Sequence, residues 1–147
     1  MLSLAVMKVR AESVIQYLRG FQGAPYVYGG NGPFFDCSGL VCEGLKAFGL
    51  LGPKEDLTAA GLLAKFQDRE VSGPIPGALV FFGRSGSDVT HVGIAVDEFR
   101  FLEAGGGDKT TKDIHSAVPR GAMVRERPLR SRSDLLGFYL PDYVTGN

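Results

Sequence analysis

Three side chains in this sequence have the chemistry of a nucleophilic hydrolase: the thiol of Cys37 in Asp36-Cys37-Ser38-Gly39-Leu40-Val41, the imidazole of His91 in His91-Val92-Gly93-Ile94-Ala95-Val96, and the carboxylate of Glu103 in Phe101-Leu102-Glu103-Ala104. A Cys at a helix start, a later His and a polar group that orients it make a cysteine-nucleophile triad. The thiolate attacks, the imidazole shuttles protons and the third group fixes the tautomer.

The elements that must position these groups can be read from the surrounding pattern. Leu40, Val41, Leu45 and Phe48 recur at three- and four-residue spacing and Gly49 follows them, which predicts a helix from about Cys37 to about Phe48. Asp36 suits its N-cap, and a thiol in the first turn lies among unpaired N–H groups at the positive end of the helix dipole, where negative charge on sulfur is favoured. Asp36 opposes that effect, so a base is needed as well. The segment from Gly23 to Pro33, rich in Gly and Pro, reads as a loop leading into this helix.

In the run that starts at His91, Val92, Ile94 and Val96 point to one face, the core, while His91, Gly93 and Ala95 point to a small-lined face. A three-residue loop at Asp97, Glu98 and Phe99 would pair Val96 with Arg100 and Gly93 with Glu103. Glu103 then lies on the His91 face, diagonal to it, at about 7 to 8 Å between backbones. A loop of two or four residues would reverse that face.

Taken in order, the chain reads as a first amphipathic helix at about 8–20, the loop, the thiol helix, and further helix over 54–70. Short β runs follow at 78–82, 91–96, 100–104, 122–127 and 135–140. Helices first and strands afterwards predict an α+β fold with N-terminal helices packed on an antiparallel sheet of about five strands, in one domain over 1–147. At 147 residues such a domain buries roughly 68 to 70% of its unfolded surface, so neither metal nor disulfide is required for stability.

Sixteen basic and sixteen acidic residues cancel, which gives no general reason to expect a nucleic-acid partner. No apolar run approaches the roughly 20 residues of a membrane span. The start, Met1 to Arg10, lacks a basic stretch ahead of its apolar residues and reads as part of the first helix, not as a signal peptide.

Cys37 and Cys42 would stand about 8 Å apart on different faces of one helix, too far for a disulfide, and Cys42 reads as an inert core thiol. His115, in the polar stretch from Asp108 to Ser116, reads as an exposed loop residue and the second choice for the third triad member. Arg120, Arg125, Arg127, Arg130 and Arg132 gather positive charge near the C-terminus. Arg125 and Arg127 alternate as a solvated strand face would; the sharper expectation is that one or two of the five steer substrate carboxylates.

Pro25-Tyr26-Val27-Tyr28-Gly29-Gly30, Asp36 to Val41, Pro76-Gly77-Ala78-Leu79-Val80-Phe81-Phe82-Gly83 and His91-Val92-Gly93-Ile94, in this order, resemble the NlpC-type cell-wall cysteine peptidases over roughly residues 10–105. The resemblance implies a papain-like fold, no cofactor, and hydrolysis of amide bonds in peptidoglycan stem peptides, often between γ-D-glutamate and diaminopimelate or lysine. Cys37 would be the nucleophile and His91 the general base, with Tyr26, Asp36, Ser38 and Gly39 on the substrate side. Two positions depart from the family pattern. Glu103 stands where His, Asn or Gln is usual, and Ala78 where Asp is usual, the latter expected to be a structural change only.

Without a signal peptide the expected setting is a phage-borne wall hydrolase or a toxin of interbacterial competition, made in the cytoplasm and acting at the wall. An acyltransferase or protein deamidase using the same thiol, or a non-catalytic wall-binding module, are the competing expectations.

Overall fold

A computed structural model describes residues 4–143; Met1 to Ser3, read above as the start of the chain leading into the first helix, lie outside the described residues. Helix α1 spans Leu4–Arg19, and its buried stripe of Ala11, Val14, Ile15 and Leu18 has the three- and four-residue spacing of an amphipathic helix. It starts earlier than the apolar pattern predicts because Met7 already packs on the core.

Helix α2 spans Cys37–Ala47, with Phe48 as its C-cap. A short α3, Ala59–Lys65, is capped by the Thr58 side chain, which accepts from the Gly61 amide, and a turn of 3-10 helix follows at Gln67–Arg69.

Among the described residues six antiparallel strands follow: β1 (Glu70–Val71), β2 (Leu79–Ser85), β3 (Asp88–Ala95), β4 (Arg100–Gly105), β5 (Met123–Pro128) and β6 (Leu135–Tyr139), in the spatial order β1-β6-β2-β3-β4-β5. The strand beyond the five expected is β1, two residues long, which shows no periodicity to read. A fourth helix, α4 (Ile114–Arg120), joins β4 to β5.

The pleat divides the core. Leu79, Phe81, Val92, Ile94, Leu102 and Val124 face the helices, while Val80, Phe82, Phe101 and Leu129 form a second cluster on the opposite face. Each fully buried Leu or Phe contributes about 1.5–3 kcal/mol of hydrophobic stabilisation. The family Asp position, Ala78, is fully buried and tied at both ends, its amide donating to the Ile75 carbonyl and its carbonyl accepting from Ala95.

The β3–β4 turn closes as a three-residue loop: Asp97 Oδ1 accepts from the amides of Phe99 and Arg100 at 2.8 and 2.9 Å, and the Val96 amide donates to the Arg100 carbonyl. Ile94 therefore pairs with Leu102 and Ala95 with Phe101, the register that puts Glu103 on the His91 face. That face is closely packed at Gly93. A Cβ at Gly93 would stand 2.7 Å from the Phe101 ring.

Candidate active site

The thiol is placed by one carboxylate. Asp36 has extended backbone and caps α2: its Oδ1 accepts from the Gly39 amide at 2.8 Å and from the Ser38 hydroxyl at 3.3 Å. Its Oδ2 accepts from the Gly29 amide at 2.9 Å, tying the preceding loop to the same helix end. Such a cap is worth about 1 kcal/mol. Gly39 fits only as glycine, since a Cβ there would collide with the Gly30 carbonyl oxygen. It is buried behind the cleft and does not line it, unlike the substrate-side position expected of it. Among the described residues the amides of Cys37 and Ser38 have no intramolecular acceptor.

The loop hangs on the residue just ahead of β5 and on the segment beyond β4 through the bonds Tyr26 N–H to Ala122 O and Tyr28 N–H to Thr111 O. This seats the Tyr26 ring against Gly107, where a Cβ would collide with the ring. Burial, with the negative charge of Cys37, Asp36 and Asp108 behind it, pushes the Tyr26 phenol well above its ordinary range. It stays a hydrogen-bond donor. Tyr28 is 47% exposed and lines the cleft.

That cleft encloses about 530 Å³ between Tyr26, Cys37 and Ser38 on one side and Thr90, His91 and Asp108 on the other. The β2–β3 register slips next to Phe82–His91, so that Gly83 pairs with Val89 and Thr90 is the extra residue. Bulges of this kind bend a strand and re-aim its side chains, and this one immediately precedes His91.

His91 Nε2 lies 2.6 Å from Glu103 Oε1. The residues are 8% and 2% exposed, so water screens the pair little. The other ring nitrogen is left for the Cys37 side. Burial alone would lower the imidazole pKa, but interaction with the Cys37 sulfur and with Glu103 outweighs it and raises the value to about 9. Burial likewise would raise the Glu103 carboxyl, and His91 and Arg125 hold it below its ordinary value.

Arg125 is the residue that sequence reasoning missed. It stands directly opposite Glu103 in the β4–β5 ladder and its Nε donates to Glu103 Oε2 at 3.0 Å. The expected solvated role is thereby corrected: the guanidinium is tied to a buried carboxylate.

Two other basic residues of that group are also engaged. Arg132 bonds Asp134 and lies 4.7 Å over the Phe82 ring, and Arg120 bonds Asp108, Thr110 and Thr111.

His115 falls in α4 and not in a loop; it is exposed and does not line the cleft. Cys42 is buried, its S–H directed to the Leu57 carbonyl at 3.5 Å, and burial pushes its thiol up. Both cysteines are free. Among the described residues no cluster of three or more His, Cys, Asp or Glu offers a metal site, and no helix is long and apolar enough to cross a membrane.

Helices on one face of an antiparallel sheet, with a thiol at a helix start opposite an imidazole on a strand, is the papain-like arrangement of the α+β class. Residues 23–128 match the NlpC/P60 family, and the chain belongs to it.

It is 32% identical over 117 residues to the bifunctional muramidase/DL-endopeptidase CwlT of Bacillus subtilis, covering 77% of this chain and 35% of that protein. A γ-DL-glutamyl hydrolase of the same organism is 31% identical over 102 residues, 67% of this chain and 24% of that one. The chain thus spans about a third or less of the length of these relatives. The fold is that of the peptidoglycan hydrolase RipB from Mycobacterium tuberculosis, with a TM-score of 0.67 at 22% identity over 95% of this chain and 67% of that one.

Proposed function

We propose that the chain is one catalytic domain, a cysteine endopeptidase that hydrolyses amide bonds in peptidoglycan stem peptides of the γ-D-glutamyl-diaminopimelate or γ-D-glutamyl-lysine type. One observation carries this reading: a half-buried thiol at a helix start opens onto the cleft opposite an imidazole whose far nitrogen is held by a buried carboxylate. Family membership supplies the substrate class, and the names of the relatives agree with it.

In this reading Cys37 attacks the scissile carbonyl carbon as thiolate and forms a C–S bond. The C–N bond breaks as the His91 imidazolium gives its proton to the leaving amine. The imidazole then takes a proton from water, whose oxygen attacks the thioester, releasing the acid and restoring the thiol pair. Negative charge on the carbonyl oxygen meets the free amides of Cys37 and Ser38 and the Tyr26 phenol. A smaller recess of about 190 Å³ beside the thiol, bordered by Tyr28, Asp36, Ser38 and Asp56, suits the cationic end of a stem peptide. The place of action is the cell wall.

The test is mass spectrometry of purified peptidoglycan fragments incubated with wild type and with Cys37→Ala, with reductant and with chelator. Release of a defined stem-peptide fragment by wild type alone, unaffected by chelator, is expected. Equal inertness of both proteins toward wall fragments would overturn the substrate.

A further inference from the structure

The network at His91 does not end at Glu103. Glu103 is 2% exposed and uses its two oxygens in different directions, Oε1 to His91 at 2.6 Å and Oε2 to Arg125 at 3.0 Å. A carboxylate bonded through one oxygen can swing about its terminal torsion. One bonded through both has its plane fixed.

The guanidinium is itself held in a fitted place. Arg125 Nη1 donates to the Gly121 carbonyl at 3.5 Å, and a Cβ at Gly106 would stand 3.3 and 3.4 Å from the two terminal nitrogens. Gly106 and Gly121 both have positive φ, so glycine suits the backbone that surrounds this cation. On the other flank a Cβ at Gly105 would collide with the Glu103 carboxylate. Arg125 and Glu103 therefore occupy a slot that Gly105 and Gly106 leave open.

Charge points the same way. In the attacking state Cys37 thiolate, His91 imidazolium, Glu103 carboxylate and Arg125 guanidinium form a row of four alternating charges that sums to zero, while the Asp36 carboxylate beside the thiol is met by the Gly29 and Gly39 amides and the Ser38 hydroxyl. From the segment ahead of β6, Arg132 and Asp134 face the same groups as a pair that neutralises itself. Without Arg125 the thiolate state carries one uncompensated negative charge against low-dielectric walls.

We propose that Arg125 is a positioning residue of this site: by fixing the second oxygen of Glu103 and supplying the last of four alternating charges, it holds His91 in the orientation and charge state that activate Cys37. This rests on the reading of Cys37 and His91 given above. It also gives the departure from the family pattern a physical basis, since a buried carboxylate at position 103 brings a charge that a neutral third residue would not, and Arg125 answers it.

The experiment follows alkylation of Cys37 by iodoacetamide near neutral pH, resolved by peptide mass spectrometry, together with kcat and KM on a stem-peptide substrate. The proteins are wild type, Arg125→Met, Arg125→Lys and Arg127→Met, with thermal unfolding of each as the fold control. Arg125→Met is expected to alkylate about tenfold more slowly and to lose kcat by at least as much, with KM little changed. Arg125→Lys should recover part of both rates, and Arg127→Met should behave as wild type.

A folded Arg125→Met with the wild-type alkylation rate, or Arg125→Lys no faster than Arg125→Met, overturns the proposal. If Arg125→Met does not fold, Arg125→Lys decides: alkylation at least about threefold slower than wild type supports the role, and the wild-type rate overturns it. A wild-type Cys37 no more reactive than free cysteine overturns the functional reading itself and this inference with it. A fast wild type with an indifferent Arg125→Met overturns this inference alone.

Discussion

Replacing Glu103 by Gln keeps the shape and one hydrogen bond to His91 and removes the charge. The His91 pKa is raised from 6.5 to about 9, so in the proposed cycle the proton needed by the leaving amine is present below that value and lost as pH rises through it. The contact removed is a 2.6 Å charge-assisted bond between groups 8% and 2% exposed.

Hydrogen bonds to charged groups are worth about 1.5–3 kcal/mol against about 1 for neutral ones. The difference, about 1–2 kcal/mol, moves the alkaline limb of kcat/KM down by about one pH unit. Arg125, left facing a neutral amide, repels the imidazolium and pushes in the same direction. The expected result in Glu103→Gln is an alkaline limb near about 8 in place of about 9, with kcat reduced across the range. The assay is kcat/KM against pH on a soluble stem peptide. A limb that stays in place or moves up would refute the assignment of Glu103 as the partner that holds the proton on His91.

Three further expectations come from the same geometry. A folded-state His pKa above the unfolded one contributes stability that is fully present below pH 6.5 and lost as pH rises through about 9; thermal unfolding should show that loss, and Glu103→Gln should flatten it. Gly105→Ala puts a methyl group where the Glu103 carboxylate lies, so turnover should fall about tenfold or more while circular dichroism keeps its folded signature. Cys42→Ala removes a buried thiol that the cleft does not use; about 1 kcal/mol of stability should go, measured in urea, with kcat unchanged.

The thiol helix and its cap were legible because local signals agreed: Asp36 before an apolar stripe at helical spacing is what the structure uses to start α2. The side of the sheet on which Glu103 stands was legible for the same local reason, since a three-residue turn fixes the β3–β4 register. Arg125 was not. Between β4 and β5 the chain runs through α4, and no turn length fixes which residue of β5 meets Glu103, so alternation alone could only suggest a solvated face. Gly39 failed differently. Its place within the motif put it at the substrate, whereas the close approach of the Gly30 carbonyl, a tertiary contact, is what requires glycine there. The Thr90 bulge leaves no mark in a run of β-favouring residues.

The order in which the strands lie side by side has a consequence for how the protein comes into being. Cys37 is synthesised well before His91, and Arg125 comes later still, on the outermost strand of that side of the sheet. A nascent or nicked chain lacking the last third has the sulfur without the full set of charges around it. Pairings this distant in sequence form slowly compared with local helix closure. The onset of Cys37 reactivity during refolding is therefore a clock for docking of the last strands, readable by quenched alkylation in a protein that contains no tryptophan to report it.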